Sequence, residues 1–562
     1  MLLKKISIKN FKSIKNIEFD FPESNILILV GENNAGKSNI IRAIDVICGE
    51  SWYGKEKLED HDFYLRNHEN DIEINLYFSE GKSVNFQPTK SKWGVNYYNN
   101  WEQSIKAPYT SQIKDDFPST YLGADRTFDK HLSFYDWTLI GRIRKAFHKR
   151  IGDELKIEIE KDFENVITSF HKVPGFSDFI NDFTLQFKEL LPSGKGHMSI
   201  DFKPFTPANY FKTMQVLAHD PNQSDKPIDV DELGEGARNM ILIALLRSYA
   251  KNFKNSGEVN GILALEEPEL FLHPQARRHL ATVLRELAQT GLQVIISTHS
   301  DSFIDTEHFD SIGRVIKITD PENEGKEQTV IVQTDRNKLV NIAIDTGVPA
   351  AKTNIDNIHQ FYKTTSNSRL NEGFFARCLV LVEGETEELA LPEYLSILGL
   401  DCDANGISII EVKGKNQIPK YWRLYASFGI PIIVIFDNDN KNNKEKSNNN
   451  ITTCFNLEIH DILDDVNIYK HIKSKTEIES DLIIIEIDFE TAVKKDLIAK
   501  GCESVYEELE ASAIKEIKPL GNQQKGAIAR YIARKIQSHI QGYAPEFVTK
   551  LKSLIQIAIR NN

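Results

Sequence analysis

A candidate phosphate-binding segment occurs near the start of the chain, with the sequence Gly31-Glu-Asn-Asn-Ala-Gly-Lys-Ser38. It lies between an apolar run and a stretch with the hydrophobic periodicity of a helix. Its glycines let the backbone curl so that N–H groups face a phosphate, and the following helix adds positive partial charge at its N-terminus. In this pattern Lys37 reaches the β- and γ-phosphates and Ser38 binds Mg²⁺. We therefore expect ATP with Mg²⁺ to bind along this phosphate loop, at Gly31, Asn33, Asn34, Gly36, Lys37, Ser38 and Asn39.

A pair of carboxylates follows another apolar run, Ile262 to Leu265. Glu266 and Glu267 would then lie at the carboxyl end of a strand, where the sites of α/β proteins form. We expect Glu266 to hold Mg²⁺ through water, and Glu267 to orient or deprotonate the attacking water. The alternative is that the two glutamates form an ordinary acidic turn in solvent. We favour the nucleotide site because a phosphate loop precedes them in the chain.

Two further segments would complete this nucleotide site. His299 follows an apolar run, and a polar residue there can sense the γ-phosphate. A lone histidine is more often structural, so the assignment rests on the order of phosphate loop, acidic strand and histidine strand. Gly234 and Gly236 precede an apolar helix and could expose N–H groups at its N-terminus.

A second group of carboxylates occurs in the C-terminal half of the chain. Glu383 and Glu387 follow the apolar run CLVLV, and Asp437 and Asp439 follow the run IPIIVIF. Alternate residues of an extended segment share a face, so both aspartates can point at one cation. Carboxylates at two strand ends suit Mg²⁺ or Mn²⁺, and two-metal sites of this kind cleave phosphodiesters. Two ordinary acidic loops are the alternative.

These motifs need strands and helices that position them, and the hydrophobic periodicity predicts an α/β protein. Residues 1–135 and 196–337 contain strand-like runs, and a helical, charged segment at 136–195 separates them. We interpret this segment as an insertion that mediates dimerisation. Residues 338–372 are a polar connector, and residues 373–562 form a second α/β domain with C-terminal helices.

The composition narrows the class of protein. The net charge of −13 means that any contact with nucleic acid must be local. The five cysteines are scattered, which argues against disulfides and structural zinc and for a reducing compartment. No apolar run approaches the roughly 20 residues that a membrane helix needs. We therefore expect a cytoplasmic protein with no membrane partner.

The motifs of residues 1–330 resemble the ABC ATPase heads of the RecF, SMC and Rad50 type. In that family two heads sandwich ATP, and the signature loop of one head meets the γ-phosphate of the other. Glu266 stands where these heads usually have an aspartate, and the loop around Gly234 lacks their serine. The central insertion is also far too short for a long coiled-coil arm.

The second carboxylate group resembles the Toprim signature, a glutamate followed later by DxD. The stretch VLVEGETEELALPEY is similar to the first Toprim block of the OLD (overcoming lysogenization defect) nucleases, which include the nuclease subunit of Gabija-type phage defence. These proteins also join an ABC head to a Toprim domain. The expected fold class is therefore α/β: an ABC-type ATPase head with a helical insertion, followed by a Toprim α/β domain.

The OLD resemblance implies a further glutamate and a lysine in the nuclease site. By position, Glu490 matches the glutamate and Lys525 matches the lysine, whose amine would stabilise charge on the phosphate or the leaving oxygen. The competing residues are Glu486, Asp488, Lys515 and Lys518. Lys413 and Lys415, in a turn between the two acidic motifs, would contact DNA phosphates, with a solvated loop as the alternative.

The resemblance implies an ATP-binding, metal-dependent DNA endonuclease in anti-phage defence, with the ATPase domain controlling the Toprim nuclease. The implied partners are DNA, a second copy or a larger homo-oligomer, and a helicase or another defence protein. The alternative is a non-nucleolytic, RecF- or SMC-like DNA-repair ATPase, against which the intact carboxylates argue. A topoisomerase or primase ranks last, because no primase zinc motif is visible.

Overall fold

The structure is a computed structural model of the 562-residue chain. It describes residues 1–49, 57–88, 95–98, 106–110, 113–114, 117–123, 150–190, 217–218, 228–229, 232–253, 261–365, 368–438, 453–455, 466–473, 479–517 and 525–560, and the single residues 53, 141, 147, 148 and 451.

The strands of the described residues form three large sheets and one two-stranded ribbon. In chain order they are β1 (Leu3–Phe11), β2 (Ile14–Asp20), β3 (Ile26–Val30), β4 (Glu73–Phe78), β5 (Ser83–Phe86), β6 (Val95–Tyr98), β7 (Lys106–Pro108), β8 (Ser119–Leu122), β9 (Leu217–Ala218), β10 (Ile228–Asp229), β11 (Ile262–Glu266), β12 (Gln293–Ser297), β13 (Ile312–Thr319), β14 (Glu327–Gln333), β15 (Cys378–Val382), β16 (Ile407–Glu411), β17 (Ile432–Asp437), β18 (Val466–Lys473) and β19 (Glu479–Ile485).

The α-helices surround these sheets. They are α1 (Lys37–Cys48), α2 (Asp153–Phe170), α3 (Phe176–Leu190), α4 (Glu235–Phe253), α5 (Pro274–Ala288), α6 (Arg336–Asp345), α7 (Ile355–Thr365), α8 (Ser368–Glu372), α9 (Glu385–Ile397), α10 (Ile418–Ser427), α11 (Phe489–Ala499), α12 (Glu503–Ile517), α13 (Lys525–Lys535) and α14 (Glu546–Arg560). None of the helices in the described ranges is both long and apolar enough to cross a lipid bilayer.

A largely parallel sheet organises the first domain, with the strand order β14-β13-β3-β12-β11-β8. Every residue of β3, β11 and β12 is buried, which explains their continuous apolar sequences. These three strands are parallel neighbours, so their carboxyl ends meet at one edge of the sheet. That edge therefore collects the phosphate loop, the paired glutamates and His299.

An antiparallel sheet, β2-β1-β4-β5-β6-β7, covers the other side of α1. Its inward residues alternate with outward ones, and Ile74 of β4 packs in one core with Ile44 of α1 and Leu29 of β3. The alternation in the sequence reflects this one-sided burial. The helix that follows the phosphate loop is thus fixed between two sheets.

The insertion that we predicted at residues 136–195 falls partly outside the described residues. Its described part includes the helices α2 and α3, which are separated by a short turn at 171–175. None of the residues of α2 is buried. Helix α2 therefore contributes no side chain to the buried cores of the described residues.

The second domain is built on the sheet β16-β15-β17-β19-β18, in which β18 alone of the described strands is antiparallel to its neighbour. β15 is wholly buried, and β17 is buried up to its last residue. Helices α9, α11 and α14 pack on one face through residues such as Leu391, Val493 and Leu551. Helix α10 packs on the other face through Trp422.

The predicted connector at residues 338–372 is mainly helical and joins the two domains through a shared core. Tyr362 of α7 and Leu370 of α8 lie in one apolar cluster with Leu284 of the first domain and Trp422 of the second. The chain therefore passes from one domain to the other through packed structure.

Arg314 of β13 crosses the same junction. Its guanidinium donates hydrogen bonds to the backbone carbonyls of Phe428 (3.3 Å), Gly429 (2.9 Å) and Ala376 (3.3 Å) in the second domain. Burial lowers the pKa of Arg314 to about 10. A buried guanidinium is tolerated only where such acceptors satisfy it, so Arg314 fixes the two domains against each other.

Candidate nucleotide site and metal centre

The phosphate loop between β3 and α1 contains left-handed backbone angles. The angle φ is 148° at Gly31, 63° at Asn34 and 112° at Gly36. A β-carbon on Gly31 would also collide with the carbonyl group of Val315, so both space and backbone require glycine there. Because α1 begins at Lys37, the positive end of its dipole lies at this loop.

The loop is supported by residues that the sequence analysis did not identify. Asn39 donates from its amide to the hydroxyl of Ser13 at 2.7 Å, and that hydroxyl lies 2.7 Å from the hydroxyl of Thr329. Thr329 in turn donates to the Ala35 carbonyl at 2.8 Å. Ser13 and Thr329 are distant from the loop in sequence, so no local pattern could reveal them. The amide of Asn39, which we predicted to bind ATP, supports the loop.

Lys37 is buried and bends back onto its own loop. Its ammonium donates to the carbonyls of Gly31 and Glu32, both at 2.8 Å. Burial lowers the pKa of Lys37 to about 8, while the carboxylates of Glu267 and Glu269 act in the opposite direction. Phosphate oxygens are stronger acceptors than carbonyls, so a bound nucleotide would attract this ammonium.

The acidic residues after β11 have unusual surroundings. Glu266 is buried, and its Oε1 has no hydrogen-bond partner among the described residues. An orphaned buried carboxylate oxygen of this kind fits Mg²⁺ or its water ligands. Burial, and then the hydrogen-bonded Glu266 carboxylate, raise the pKa of Tyr121 on the neighbouring β8. Glu267 has a φ of 44°, an angle that non-glycine residues rarely adopt and that is concentrated at functional sites.

Glu269 links the acidic turn to His299. Its Oε1 accepts hydrogen bonds from the Thr298 hydroxyl and from the His299 backbone N–H, both at 2.8 Å. Burial, and then the charge of Lys37, lower the pKa of His299, so its imidazole is neutral at neutral pH. No sequence pattern pointed to this role for Glu269.

Gly234 and Gly236 lie at the start of α4, which packs on α5. Neither glycine has a left-handed φ, and a β-carbon on Gly236 would only reach ordinary contact, 3.6 Å from the Phe271 carbonyl oxygen. Their proposed role against a nucleotide held by a second chain stays a prediction.

The second group of carboxylates lies at the carboxyl edge of the Toprim-like sheet. Glu383 follows β15 and Asp437 ends β17, and these two strands are parallel neighbours. Glu387 lies in the first turn of α9, buried, and accepts a hydrogen bond from the Gly384 N–H at 3.3 Å. Neighbouring parallel strands thus place these three carboxylates together.

Burial and the charges of neighbouring carboxylates both act on this group. Burial raises the pKa of Asp437 well above its ordinary range, and four neighbouring carboxylates raise it further: Glu387, Glu383, Asp488 and Glu490. Burial, and then Glu383 and Glu490, likewise raise the pKa of Glu387. Oδ1 of Asp437 is buried without a hydrogen-bond partner in the described part of the chain. A buried cluster of carboxylates with an orphaned oxygen fits one or more divalent cations.

Glu490 and its competitor Asp488 differ in what their carboxylates do. Asp488 caps α11 and accepts a hydrogen bond from the Thr491 N–H at 2.8 Å. Glu490 lies in the first turn of α11, 3.4 Å from the Thr386 hydroxyl of α9. Capping engages Asp488, so Glu490 is the better candidate for the further glutamate of the site, and its role as a metal ligand stays a prediction.

Lys525 begins α13 and lines a cavity of about 300 Å³ together with Asp488, Glu490 and Tyr506. Its competitor Lys515 is in the last turn of α12, does not line this cavity and is exposed. The structure therefore brings Lys525 to the same side of the sheet as the carboxylates. Lys518 and Asp439 lie outside the described residues.

Lys413 and Lys415, two residues apart, have different environments. Lys413 is exposed, whereas the side chain of Lys415 is only 3% exposed. The contact of Lys413 with DNA phosphates stays a prediction. For Lys415, burial argues against that contact and requires another explanation.

We predict that binding of a divalent cation to the metal centre releases protons. The raised pKa values mean that Asp437 and Glu387 retain protons at higher pH than ordinary carboxyls, whereas a cation needs the ionised form. Affinity for Mn²⁺ should therefore rise with pH and fall as the solution is acidified. Titration calorimetry at pH 7 in two buffers with different ionisation enthalpies measures the released protons. Asp437→Asn should release fewer, and equal heats in both buffers for the native protein would contradict the prediction.

Comparison with known families gives one match to the first part of the chain and another to the second part. Residues 26–305 match the family described as AAA domain, putative AbiEii toxin, Type IV TA system. Residues 374–439 match the family described as Overcoming lysogenization defect protein-like, TOPRIM domain. The first range contains the phosphate loop and the acidic strand, and the second contains the carboxylates after β15 and β17.

Characterised relatives align through both domains. An OLD nuclease of Thermus scotoductus is 26% identical over 477 residues, 78% of this chain and 82% of that protein. The Old nuclease of Escherichia phage P2 is 26% identical over 484 residues, 78% and 77% of the two chains. Endonuclease GajA of Bacillus cereus (strain VD045) is 21% identical over 505 residues, 83% and 81% of the two chains. The chain is therefore similar to OLD nucleases over most of its length, with an ABC-type ATPase domain followed by an OLD-like Toprim domain.

Proposed function

We propose that this chain is an ATP-binding, metal-dependent DNA endonuclease whose ATPase domain controls the Toprim nuclease. The observation that carries the proposal is the position of Glu383 and Asp437 at the ends of the parallel neighbours β15 and β17, with Glu387 in the first turn of α9. The charge of Glu490 also acts on Asp437 and raises its pKa. Such oxygen ligands suit Mg²⁺ or Mn²⁺. Relatives aligned through both domains are named nucleases, which supports phosphodiester cleavage by this chain.

In the nuclease site the carboxylates would hold the cations, and Asp439 is a further ligand predicted from the sequence. When bound, two cations supply an activated water and stabilise the leaving oxygen. Lys525 lines the cavity beside Glu490, where its ammonium would offset charge that develops on the scissile phosphate. Lys413, exposed next to the site, would contact the DNA backbone.

In the ATPase site, the phosphate loop and Lys37 would bind the triphosphate, and Ser38 and Glu266 would hold Mg²⁺. Glu267 would orient the attacking water, and the neutral imidazole of His299 would hydrogen-bond to the γ-phosphate. Glu269 holds the His299 backbone in place for this contact.

Control of the nuclease by ATP would pass through the junction beside the phosphate loop. Arg314 pairs with Val30, the last residue before that loop, and donates to carbonyls just before β15 and β17. These two strands carry Glu383 and Asp437 at their opposite ends. A change in the loop on nucleotide binding would therefore reach the strands that hold the metal ligands.

A second link joins the loop itself to the Toprim domain. Arg377, next to the start of β15, lies 3.0 Å from the carboxylate of Glu32 in the phosphate loop. Both side chains are about half exposed, so this ion pair adds little to stability. Its weakness suits a contact that is made and broken as the nucleotide changes.

The helical insertion would mediate dimerisation. Helices α2 and α3 expose large apolar side chains, including Ile157 (66% exposed), Phe170 (51%) and Phe179 (60%). Contiguous exposed apolar residues mark surfaces that bind another chain. A second copy would also supply the loop at Gly234 to the nucleotide, in the manner of ABC heads.

The proposal extends to anti-phage defence, the role that the resemblance to Gabija-type nucleases implies, and one relative is named Endonuclease GajA. A helicase or another defence protein would act with the nuclease. The second candidate, a DNA-repair ATPase without nuclease activity, would leave the cluster of buried carboxylates without a purpose.

We expect Glu383→Ala and Asp437→Ala to abolish cleavage of supercoiled plasmid, because each removes a cation ligand. The loss should reach about a hundredfold or more, as for other groups that stabilise phosphoryl transfer. Gel analysis with Mg²⁺ or Mn²⁺, with and without ATP, measures nicked and linear products. Glu411→Ala, at the end of the neighbouring β16, is the matched control and should retain activity. Native protein that cuts no DNA under any of these conditions would contradict the proposed nuclease activity.

Lys37→Ala should remove ATP binding, since it deletes the ammonium that reaches the phosphates. Titration with a fluorescent ATP analogue should show affinity at least tenfold weaker than that of the native protein. Lys9→Ala changes an exposed lysine of β1 and serves as the control. Unchanged affinity in Lys37→Ala would refute the assignment of the phosphate loop.

Light scattering should give the mass of a dimer or a larger assembly in the presence of ATP. A Phe170→Glu, Phe179→Glu double variant places charge on the exposed apolar surface and should lower that mass towards one chain. Ile557→Glu, a comparable exposed position on α14, should leave the assembly intact. A monomeric mass for the native protein would contradict the dimer.

A further inference from the structure

We propose that Lys415 is a positioning residue of the metal centre, a built-in counter-ion that joins the ends of β15 and β17 before any cation binds. The inference rests on the proposed function, because it assigns the residue to the nuclease site. It replaces the predicted contact between Lys415 and DNA.

The turn after β16 directs Lys415 inward. Gly414 donates from its N–H to the Glu383 carbonyl at 2.8 Å, which ties the turn to the end of β15. Lys413 and Gly414 both have left-handed angles, with φ of 60° and 109°. A β-carbon on Gly414 would meet nothing within 4 Å, so its backbone angle, and not space, requires glycine. Two successive left-handed residues reverse the chain, leaving Lys413 exposed and Lys415 buried.

The ammonium of Lys415 lies between the two strand ends. It donates a hydrogen bond to the backbone carbonyl of Asp437, and it is 3.9 Å from Oε2 of Glu383. The side chain is 3% exposed, less than that of Glu383 at 19%. A buried ammonium is costly unless acceptors and opposite charge surround it. The acidic cluster meets that condition. The positive charge of Lys415 also reduces the repulsion among the carboxylates.

A bound cation should change how much Lys415 contributes to stability, and this change distinguishes a counter-ion from other roles. Without a bound cation, Lys415 holds together carboxylates that would otherwise repel one another. With a cation bound, the metal provides the same attraction, so the contribution of Lys415 to stability becomes smaller. A lysine that serves packing alone contributes equally in both conditions, and a lysine that contacts DNA contributes in neither.

The test is the thermal unfolding of full-length Lys415→Met in EDTA and in saturating Mn²⁺. We expect the melting temperature to fall by about 3 °C or more in EDTA, a shift typical of about 1 kcal/mol in a domain of this size. In Mn²⁺ the fall should be less than half as large. Equal falls in the two conditions, or no fall in either, would overturn the inference.

Two further variants keep the test decisive. Lys413→Met, the exposed neighbour, should leave both melting temperatures unchanged. Lys415→Arg keeps the charge and the donor and should be more stable in EDTA than Lys415→Gln, even if Lys415→Met fails to fold. Equal melting temperatures for Lys415→Gln and Lys415→Arg in EDTA would contradict the role of Lys415 as a counter-ion. These readouts do not need cleavage, so an inactive native protein would refute the proposed function without deciding the role of Lys415.

Discussion

Repulsion among carboxylates at the carboxyl edge of its sheet is the constraint around which the second domain is built. Glu387 is buried, and Glu383, Asp437 and Glu490 are partly buried. Burial, and then the charges of neighbouring carboxylates, raise the pKa values of Asp437 and Glu387. Such a group of carboxylates destabilises the fold unless a bound cation or proton compensates its charge. The parallel neighbours β15 and β17 impose the proximity, and the ammonium of Lys415 offsets part of the charge.

The same logic extends to the first domain, where a buried cation faces carboxylates. Lys37 is held by loop carbonyls and lies near Glu267 and Glu269, in a pocket formed at the ends of parallel strands. One apolar core and the guanidinium of Arg314 connect this pocket to the amino ends of the strands that carry the metal ligands. Binding of a triphosphate and binding of a cation are therefore events at two ends of one packed unit.

Sequence reasoning can reach the candidate residues whose positions depend on local structure. A phosphate loop after an apolar strand, and carboxylates directly after apolar strands, can be recognised because a few neighbouring residues determine both the turn and its ligands. Thr329 and Tyr121 could not be found this way, since each reaches its site through a strand far away in sequence. Lys415 was misjudged because its burial depends on two left-handed residues whose effect a sequence pattern does not display.

We propose that the strand ends of the Toprim domain form a binding site for divalent cations. Crystals of the protein soaked in Mn²⁺, with anomalous diffraction recorded at the manganese edge, test it most directly. We expect anomalous peaks between the carboxylates of Glu383, Glu387 and Asp437. These peaks should disappear in Asp437→Asn. Native crystals with no peak at these carboxylates at saturating Mn²⁺ would contradict it.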